Sequence, residues 1–445
     1  MRRPALALLL LPLLALAVPG HAAGGPGRLT VAKAFVFAGA GGEPNVTVAP
    51  HGRTVLVDGL GGGSDPANLF RSTDFGRSFT QVKGYASDVG GSDWDMHFLS
   101  DKVVVAVDLA INYVLVDVSE DAGKTWRQTK ISGDPALDRP WVTGSGKDVY
   151  VTMKGFDGVP YLYASHDLGR TFTATPVLLY GASTNPANPT PLDAFVTNQN
   201  AYVDSMGIDP RTGTVYVLYG IDGPTTIPSH PPLGAPNKLY VARYDRETVG
   251  PVLESSAVYL GATDDAFYGG FNWLTVDAAG TVYVVGNGLH AGHQSAWLSY
   301  SKDHGRTWSG LVDVGTPKVS SVYAAIAPLR NGTLAMAYYE GTKTDANQVQ
   351  DWYATLAVVD GAATTHPRVT RRQHVLAKPV HTKDICLDGI LCGVPGFGDD
   401  RSLLDYVDVA VGPDGSLWGA FASDGPATGG GRVATVLVRA TAPRR

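Results

Sequence analysis

The sequence predicts an all-β fold: a single β-propeller, seven blades preferred with six as the alternative, closed by an N-terminal strand that joins the last blade. Three observations predict it. The pattern Ser-x-Asp-x-Gly-x-(Ser/Thr)-(Trp/Phe) recurs four times. Its first three copies follow one another at about 46–47 residues, the length of one four-stranded blade. A second marker, a turn leading into an apolar, mostly β-branched run, occurs seven times.

The elements follow in chain order. Arg2 and Arg3 precede an apolar run from Ala5 to Val18, and Gly20 and Ala22 supply small side chains for cleavage, so residues 1–22 read as a signal peptide and 23–445 as the propeller domain. Leu29 to Phe37 is a strand with no hairpin partner of its own. The seven apolar runs, which read as inner strands covered on both faces, are Gly52–Val57, Asp101–Val105, Lys147–Val151, Gly213–Val217, Gly280–Val284, Gly332–Met336 and Gly415–Trp418. The last blade shows only three strands, near 407–411, 417–421 and 433–439. An open edge there would invite aggregation, and the early strand is free to fill it. Tyr180 to Asn200 and Asp222 to Asn237, rich in Pro, Thr and Asn, interrupt the period as long surface loops.

The repeated pattern is a turn stapled from within. Its copies place Ser72, Asp74 and Gly76; Ser119, Asp121 and Gly123; Ser165, Asp167 and Gly169; and Ser301, Asp303 and Gly305 in equivalent positions, with a degenerate copy at 243–247. The Ser hydroxyl and Asp carboxylate accept bonds from turn N–H groups, Gly supplies a positive φ, and the closing Trp or Phe starts the return strand. Each copy marks one outer hairpin.

Composition bounds the partners. The 445 residues carry a net charge of −6 with both signs interspersed, which excludes the basic footprint of a nucleic-acid binder. Beyond the signal no run is long enough to span a bilayer, so the expectation is a secreted, extracellular, soluble monomer. The two cysteines, Cys386 and Cys392, share one Gly-rich segment and in an oxidising compartment read as a disulfide; a zinc site drawing on His381, Asp384 and Asp388 is the alternative. No metal site or cofactor is expected, although a structural calcium ion could sit among rim acids.

In a propeller, ligands meet side chains at the rim where the inner strands begin. The residues ahead of those strands are Glu43 and Asn45; Asp93, Asp95 and His97; Asp138 and Arg139; Tyr202 and Asp204; Asp265, Tyr268 and Asn272; Ser320, Ser321 and Tyr323; and Asp399, Asp400, Arg401, Asp405 and Tyr406. Asp93, Asp95, Asp138 and Asp405 are the candidate catalytic acids, and Arg139, Arg401, Tyr202, Asp204 and Tyr268 the candidate substrate-binding groups. Each also has a plainer role: Asp138 and Arg139 as a local pair, Asp93 and Asp95 as solvated acids, and His290 and His293 as surface groups.

The repeated turns resemble the Asp-boxes, or BNR repeats, of sialidases and other propellers. The order of Gly-Gly-Ser-Asp at 90–93, Asp138-Arg139-Pro140-Trp141 and Arg401–Tyr406 is similar to that of secreted bacterial exo-α-sialidase-like proteins. The resemblance implies a six-bladed fold, three arginines for a substrate carboxylate, a Tyr nucleophile activated by a Glu, and an Asp for proton transfer. It nominates Tyr406 with Glu340 as the nucleophile and base. The family's Arg-Ile-Pro motif is absent; Arg139-Pro140 is the nearest fragment, in a different blade. Two functions stand: a glycoside hydrolase acting through rim carboxylates and arginines, or a non-catalytic propeller that binds an extracellular glycan or glycoprotein.

Overall fold

The computed structural model describes residues 16–18, 28–60, 68–82, 93–110, 113–131, 136–155, 160–173, 177–178, 201–222, 236–245, 254–260, 265–267, 271–387 and 400–442. Among them are strands and turns but no helix, hence none long and apolar enough to cross a membrane. The strands form seven antiparallel sheets, each with its first strand innermost. The inner strands of blades 1 to 7 are Val46–Val48, Trp94–Phe98, Ala136–Ser145, Ala201–Ile208, Trp273–Val276, Ser321–Arg330 and Asp408–Val411. Each touches the next around the ring, and the seventh touches the first. The arrangement is a seven-bladed β-propeller.

Thr30–Ala38 lies antiparallel to Ala434–Thr441 and stands fourth in the last sheet. The strand without a hairpin partner thus meets the sheet that lacked one. Leu16–Val18 adds a fifth, outermost strand by pairing with Ala34–Val36. Most of the two long loops lies outside the described residues, although Asp222 ends one strand and Pro236 opens another.

The buried apolar residues of the described chain divide into seven clusters, one per pair of neighbouring blades. Leu56 of blade 1, for example, packs with Trp94, Met96 and Phe98 of blade 2, and Trp418 of blade 7 with Val46, Val55 and Phe70 of blade 1. The seven apolar runs are the second strands of the blades and not the inner ones; a strand flanked within its sheet and covered on both faces is what keeps such a run apolar, so the runs still mark the blades.

All four Asp-box turns connect the third and fourth strands of their blades. Antiparallel order puts that turn at the end of the blade opposite the one where the inner strand starts. In the first copy Asp74 Oδ1 accepts from the N–H groups of Arg77 and Ser78 at 2.9 and 3.0 Å, Oδ2 accepts from Ser78 Oγ at 2.6 Å, and Ser72 Oγ accepts from Gly76 N at 2.8 Å. The other three repeat the set.

Two features go beyond the sequence reading. The residue before each Gly is also left-handed: Phe75, Ala122, Leu168 and His304 have φ of 59–61°. Each turn also leans on the preceding blade, so that a Cβ at Gly76 would meet the Trp418 ring at 2.2 Å and one at Gly123 would meet Leu56 at 2.8 Å. The closing rings of Phe79, Trp126, Phe172 and Trp308 are only partly buried.

Candidate functional site at the channel mouth

The entries to the inner strands of blades 7, 1, 2 and 3 bring Arg401, Asp405 and Tyr406 together with Glu43, Asp93 and Arg139. Arg139 sits at a bulge, between the register shifts that separate Asp138 from Trp141. That irregularity aims a charged side chain inward from a strand that otherwise alternates. Its guanidinium carbon lies 3.4 Å from the Tyr406 ring centroid and 3.9 Å from that of Trp141, a cation held between two aromatic faces. Nη2 donates to the Trp94 carbonyl at 3.3 Å, to which the Tyr406 hydroxyl also donates at 2.9 Å. Burial works against the charge on Arg139, but the surrounding Tyr406, Glu43, Asp93 and Asp95 hold it cationic.

Glu43 is buried at a positive φ of 48°. Its carboxyl pKa is pushed well above the usual range by burial and then by the nearby Asp93 and Asp405, both within side-chain hydrogen-bond reach. Of the acids at the mouth, Glu43 thus has burial and two neighbouring carboxyls all favouring its protonated form. Asp405 is different. Burial raises it, yet Arg401 pulls it back with Nη1 and Nη2 each 2.6 Å from one carboxylate oxygen, a bidentate ion pair. Tyr406 stays a neutral phenol because burial pushes its pKa far up despite Arg139.

Several other rim residues bind neighbouring blades to one another. Asp95 Oδ2 accepts from Val142 N of blade 3 at 2.8 Å, and Oδ1 from Asn45 Nδ2 of the segment entering blade 1 at 3.1 Å. Ser205 Oγ accepts from Leu274 N at 2.7 Å, Asn287 Oδ1 from Ala324 N at 2.7 Å, and Asp408 Oδ2 from Val46 N at 2.8 Å. Asp204 accepts from Asn272 Nδ2 at 3.0 Å. In each case one blade's polar side chain satisfies a backbone or side-chain donor of another. An inner strand has an open edge toward the channel, and its N–H groups need such acceptors.

This changes the assignments made from sequence. Asp95 and Asp204, proposed as acid and ligand, are inter-blade acceptors. Tyr406 and Glu340 do not pair: Tyr406 bonds Trp94, while Glu340 Oε1 faces His374 Nε2 at 2.8 Å and Oε2 accepts from Thr316 Oγ1 at 2.6 Å. Asp138 and Tyr202 stand on inner strands, but their side chains, like all of Tyr268, Asp399 and Cys392, lie outside the described residues. Asp58, Asn287 and Asp408 were missed. The available signal was a polar residue next to or within an apolar strand: Asp58 accepts from Asn45 N of its own blade at 3.0 Å, and Asn287 and Asp408 accept from N–H groups of a neighbouring blade.

His290 and His293 face Asp265 and Asp313, each at 3.0 Å, beside Trp297. Among the described residues, His381, Asp400 and Asp424 carry atoms close enough together to hold a metal ion. Both nitrogens of His381 are already engaged, Nδ1 with Asp424 Oδ1 at 2.7 Å and Nε2 with the Asp384 carbonyl at 2.9 Å, an arrangement that leaves no lone pair for a metal.

Comparison with known proteins agrees with this architecture. The family model of the BNR-Asp box repeat matches residues 69–82, the first copy of the turn. No curated protein matches the chain in sequence. A polysaccharide lyase of family PL25, an ulvan lyase bound to -[GlcA(1-4)Rha3S]-, is 12% identical with a TM-score of 0.50, covering 88% of this chain and 93% of its own. YCF48 bound to a D1 peptide is 12% identical with a TM-score of 0.48, covering 98% and 99%. The NanB sialidase from Streptococcus pneumoniae is 11% identical with a TM-score of 0.42, covering 68% and 65%. Identities this low speak to fold alone. The chain is a seven-bladed β-propeller with BNR-Asp box repeats, similar to the sialidase-like Asp-box propellers.

Proposed function

We propose that the chain is an exported propeller that recognises extracellular glycans at its channel mouth without cleaving them. The observation that carries this reading is how the candidate acids are engaged. Asp405 is forked to Arg401, Asp95 is taken by Asn45 and Val142, and Glu340 by His374 and Thr316. Among the other mouth acids whose side chains are described, Glu43 and Asp93 stand within hydrogen-bond reach of each other. Glycoside cleavage needs two carboxyls about 5–10 Å apart across the scissile bond, with one free to attack or to activate water. Half-buried Asp93 and Arg401 offer an acceptor and donors at the lip, which suits sugar hydroxyls. Propellers similar to this one include an ulvan lyase bound to a glycan and a sialidase, which favours sugars over the peptide bound by a third.

The test is titration of the secreted protein against neutral and uronic-acid oligosaccharides, beside a panel of fluorogenic glycosides that includes a sialoside. Saturable binding that Arg401→Ala weakens about tenfold, with no turnover, is expected. Hydrolysis is the second reading, favoured because burial pushes the Glu43 carboxyl pKa upward, the direction a general acid needs. Turnover that Glu43→Gln abolishes would establish it and remove the first.

The same proposal makes residues 1–22 a cleaved signal, the mature protein a monomer, and Cys386 and Cys392 a disulfide. Intact mass before and after reduction reads the N-terminus and the bridge together: a mature chain starting near residue 23 should gain about two mass units on reduction.

A further inference from the structure

His381 is 1% exposed, and its two ring nitrogens meet two acceptors, the Asp424 carboxylate and the Asp384 carbonyl. A carbonyl has no proton to give. Asp424 is itself an acceptor for Ser402 Oγ at 2.7 Å, and bonds from His381 and Ser402 outweigh burial to keep it ionised. Both nitrogens must therefore donate, which only the imidazolium can do.

The groups facing this cation come from three directions. Asp424 follows the second strand of blade 7. Asp400, whose Oδ1 is 3.9 Å from Nε2, heads the segment leading to the mouth; Lys383 and Ser402 bind its carboxylate. From blade 6 the contact is backbone and indole: Trp352 N donates to the His381 carbonyl at 2.9 Å and Trp352 Nε1 to the Lys383 carbonyl at 2.8 Å. Cys386 N then donates to the Asp400 carbonyl at 2.9 Å, which joins the His381 segment to the one that runs through Arg401 and Asp405 to Tyr406.

We propose that His381 is a protonation-gated latch: as an imidazolium it ties residues 380–387 to Asp424 and Asp400, and its deprotonation loosens the segment that presents Arg401, Asp405 and Tyr406 at the mouth. A neutral ring has one donor for two acceptors. Whichever nitrogen loses its proton turns a lone pair toward an oxygen, in a site too buried for water to relieve the conflict. Burial opposes the charge, but Asp424, Asp384 and Asp400 outweigh it and raise the pKa above 6.5. The direction follows: the latch is closed below about pH 6.5 and opens as pH rises through the higher folded-state value.

The idea goes beyond glycan recognition, and its test involves no ligand. The first measurement is histidine-selective NMR titration of the full secreted protein, with the His381 resonance identified from His381→Gln. The second is hydrogen exchange at about pH 6 and about pH 9, corrected for intrinsic rates. His381 should titrate above 6.5, and protection of 380–387 and 400–406 should drop about tenfold between the two conditions while the inner strand of blade 5 holds. In His381→Gln the protection should be low and independent of pH. If that variant does not fold, Asp424→Asn, which keeps the shape and removes the counter-charge, should shift the opening to lower pH. Titration at or below 6.5, or protection of 380–387 and 400–406 that does not change with pH, overturns the proposal.

Discussion

Asp121 and Asp117 lie four residues apart and are tuned in opposite directions. Asp121, in the second box, has its carboxyl lowered to about 2: burial works against ionisation, but the Thr125 hydroxyl and N–H, the Ser119 hydroxyl and Lys124 N–H outweigh it. A carboxyl lowered by folding stabilises above its ordinary value near 3.9 and loses that contribution as pH falls toward about 2. Asp121→Ala should cost roughly 1–2 kcal/mol at neutral pH, read by chemical denaturation, with a difference from the parent that closes in that acid window. Asp117, buried within the second blade, is raised to about 7 by burial and by Asp108, against a bond from Gln128. The sign reverses: its contribution is complete below about pH 3.9 and is lost as pH rises through about 7. Asp117→Asn should therefore stabilise the protein above pH 7 and have little effect near pH 4, as thermal midpoints across that range would reveal. A stabilisation that grew toward low pH would contradict the assignment.

At the scale of the element, blades are joined less by their loops than by single polar side chains that cross between inner strands. Asn287 is the fullest case. It accepts from Ala324 N, donates to the Ala324 and Phe271 carbonyls, and receives Asn272 Oδ1 on its own N–H. Replacing it with Ala strands several buried backbone groups, so Asn287→Ala should lose at least about 2 kcal/mol in urea denaturation. A loss below about 0.5 kcal/mol would mean that the apolar clusters alone hold blades 5 and 6 together. These crossings also explain what the sequence could and could not reveal. The box turns were legible because all their chemistry is local: Ser72, Asp74 and Gly76 satisfy one another within a few residues. The second strands were legible because being covered on both faces forces an unbroken apolar run. Asp95 and Asp408 were not, because an acid that accepts a neighbour's N–H across many residues of chain looks, in one dimension, the same as an acid waiting for a substrate. Even the mouth was legible only as a set of residues. That Arg401 would close on Asp405 and that Arg139 would lie between Tyr406 and Trp141 depends on a bulge and on four blades meeting, neither of which has a local signature.

For the whole molecule, the buried apolar residues of the described chain are spread over all seven blade interfaces, the cluster between blades 6 and 7 being the largest. Such a ring gains its cooperativity from closure, since an open array would leave two blades each with one bare face and a strand edge. Deleting residues 28–38 removes the fourth strand of blade 7, including Phe35 and Phe37, which pack against Phe79 and Phe70 of blade 1. The truncated protein should lose its single sharp thermal transition and elute as soluble oligomers, and adding the missing segment as a peptide should restore a share of monomer. A monomer that melts sharply without the segment would show that the ring closes by packing alone.

The pairing of Thr30–Ala38 with Ala434–Thr441 has one more consequence, for the order of events during synthesis. A circle fastened by Thr30–Ala38 stays open until Ala434–Thr441 has been made. Until then the nascent chain is a row of half-dressed sheets, vulnerable to chance partners. The fastening that closes the ring is thus also what delays its completion until the last blade has been synthesised.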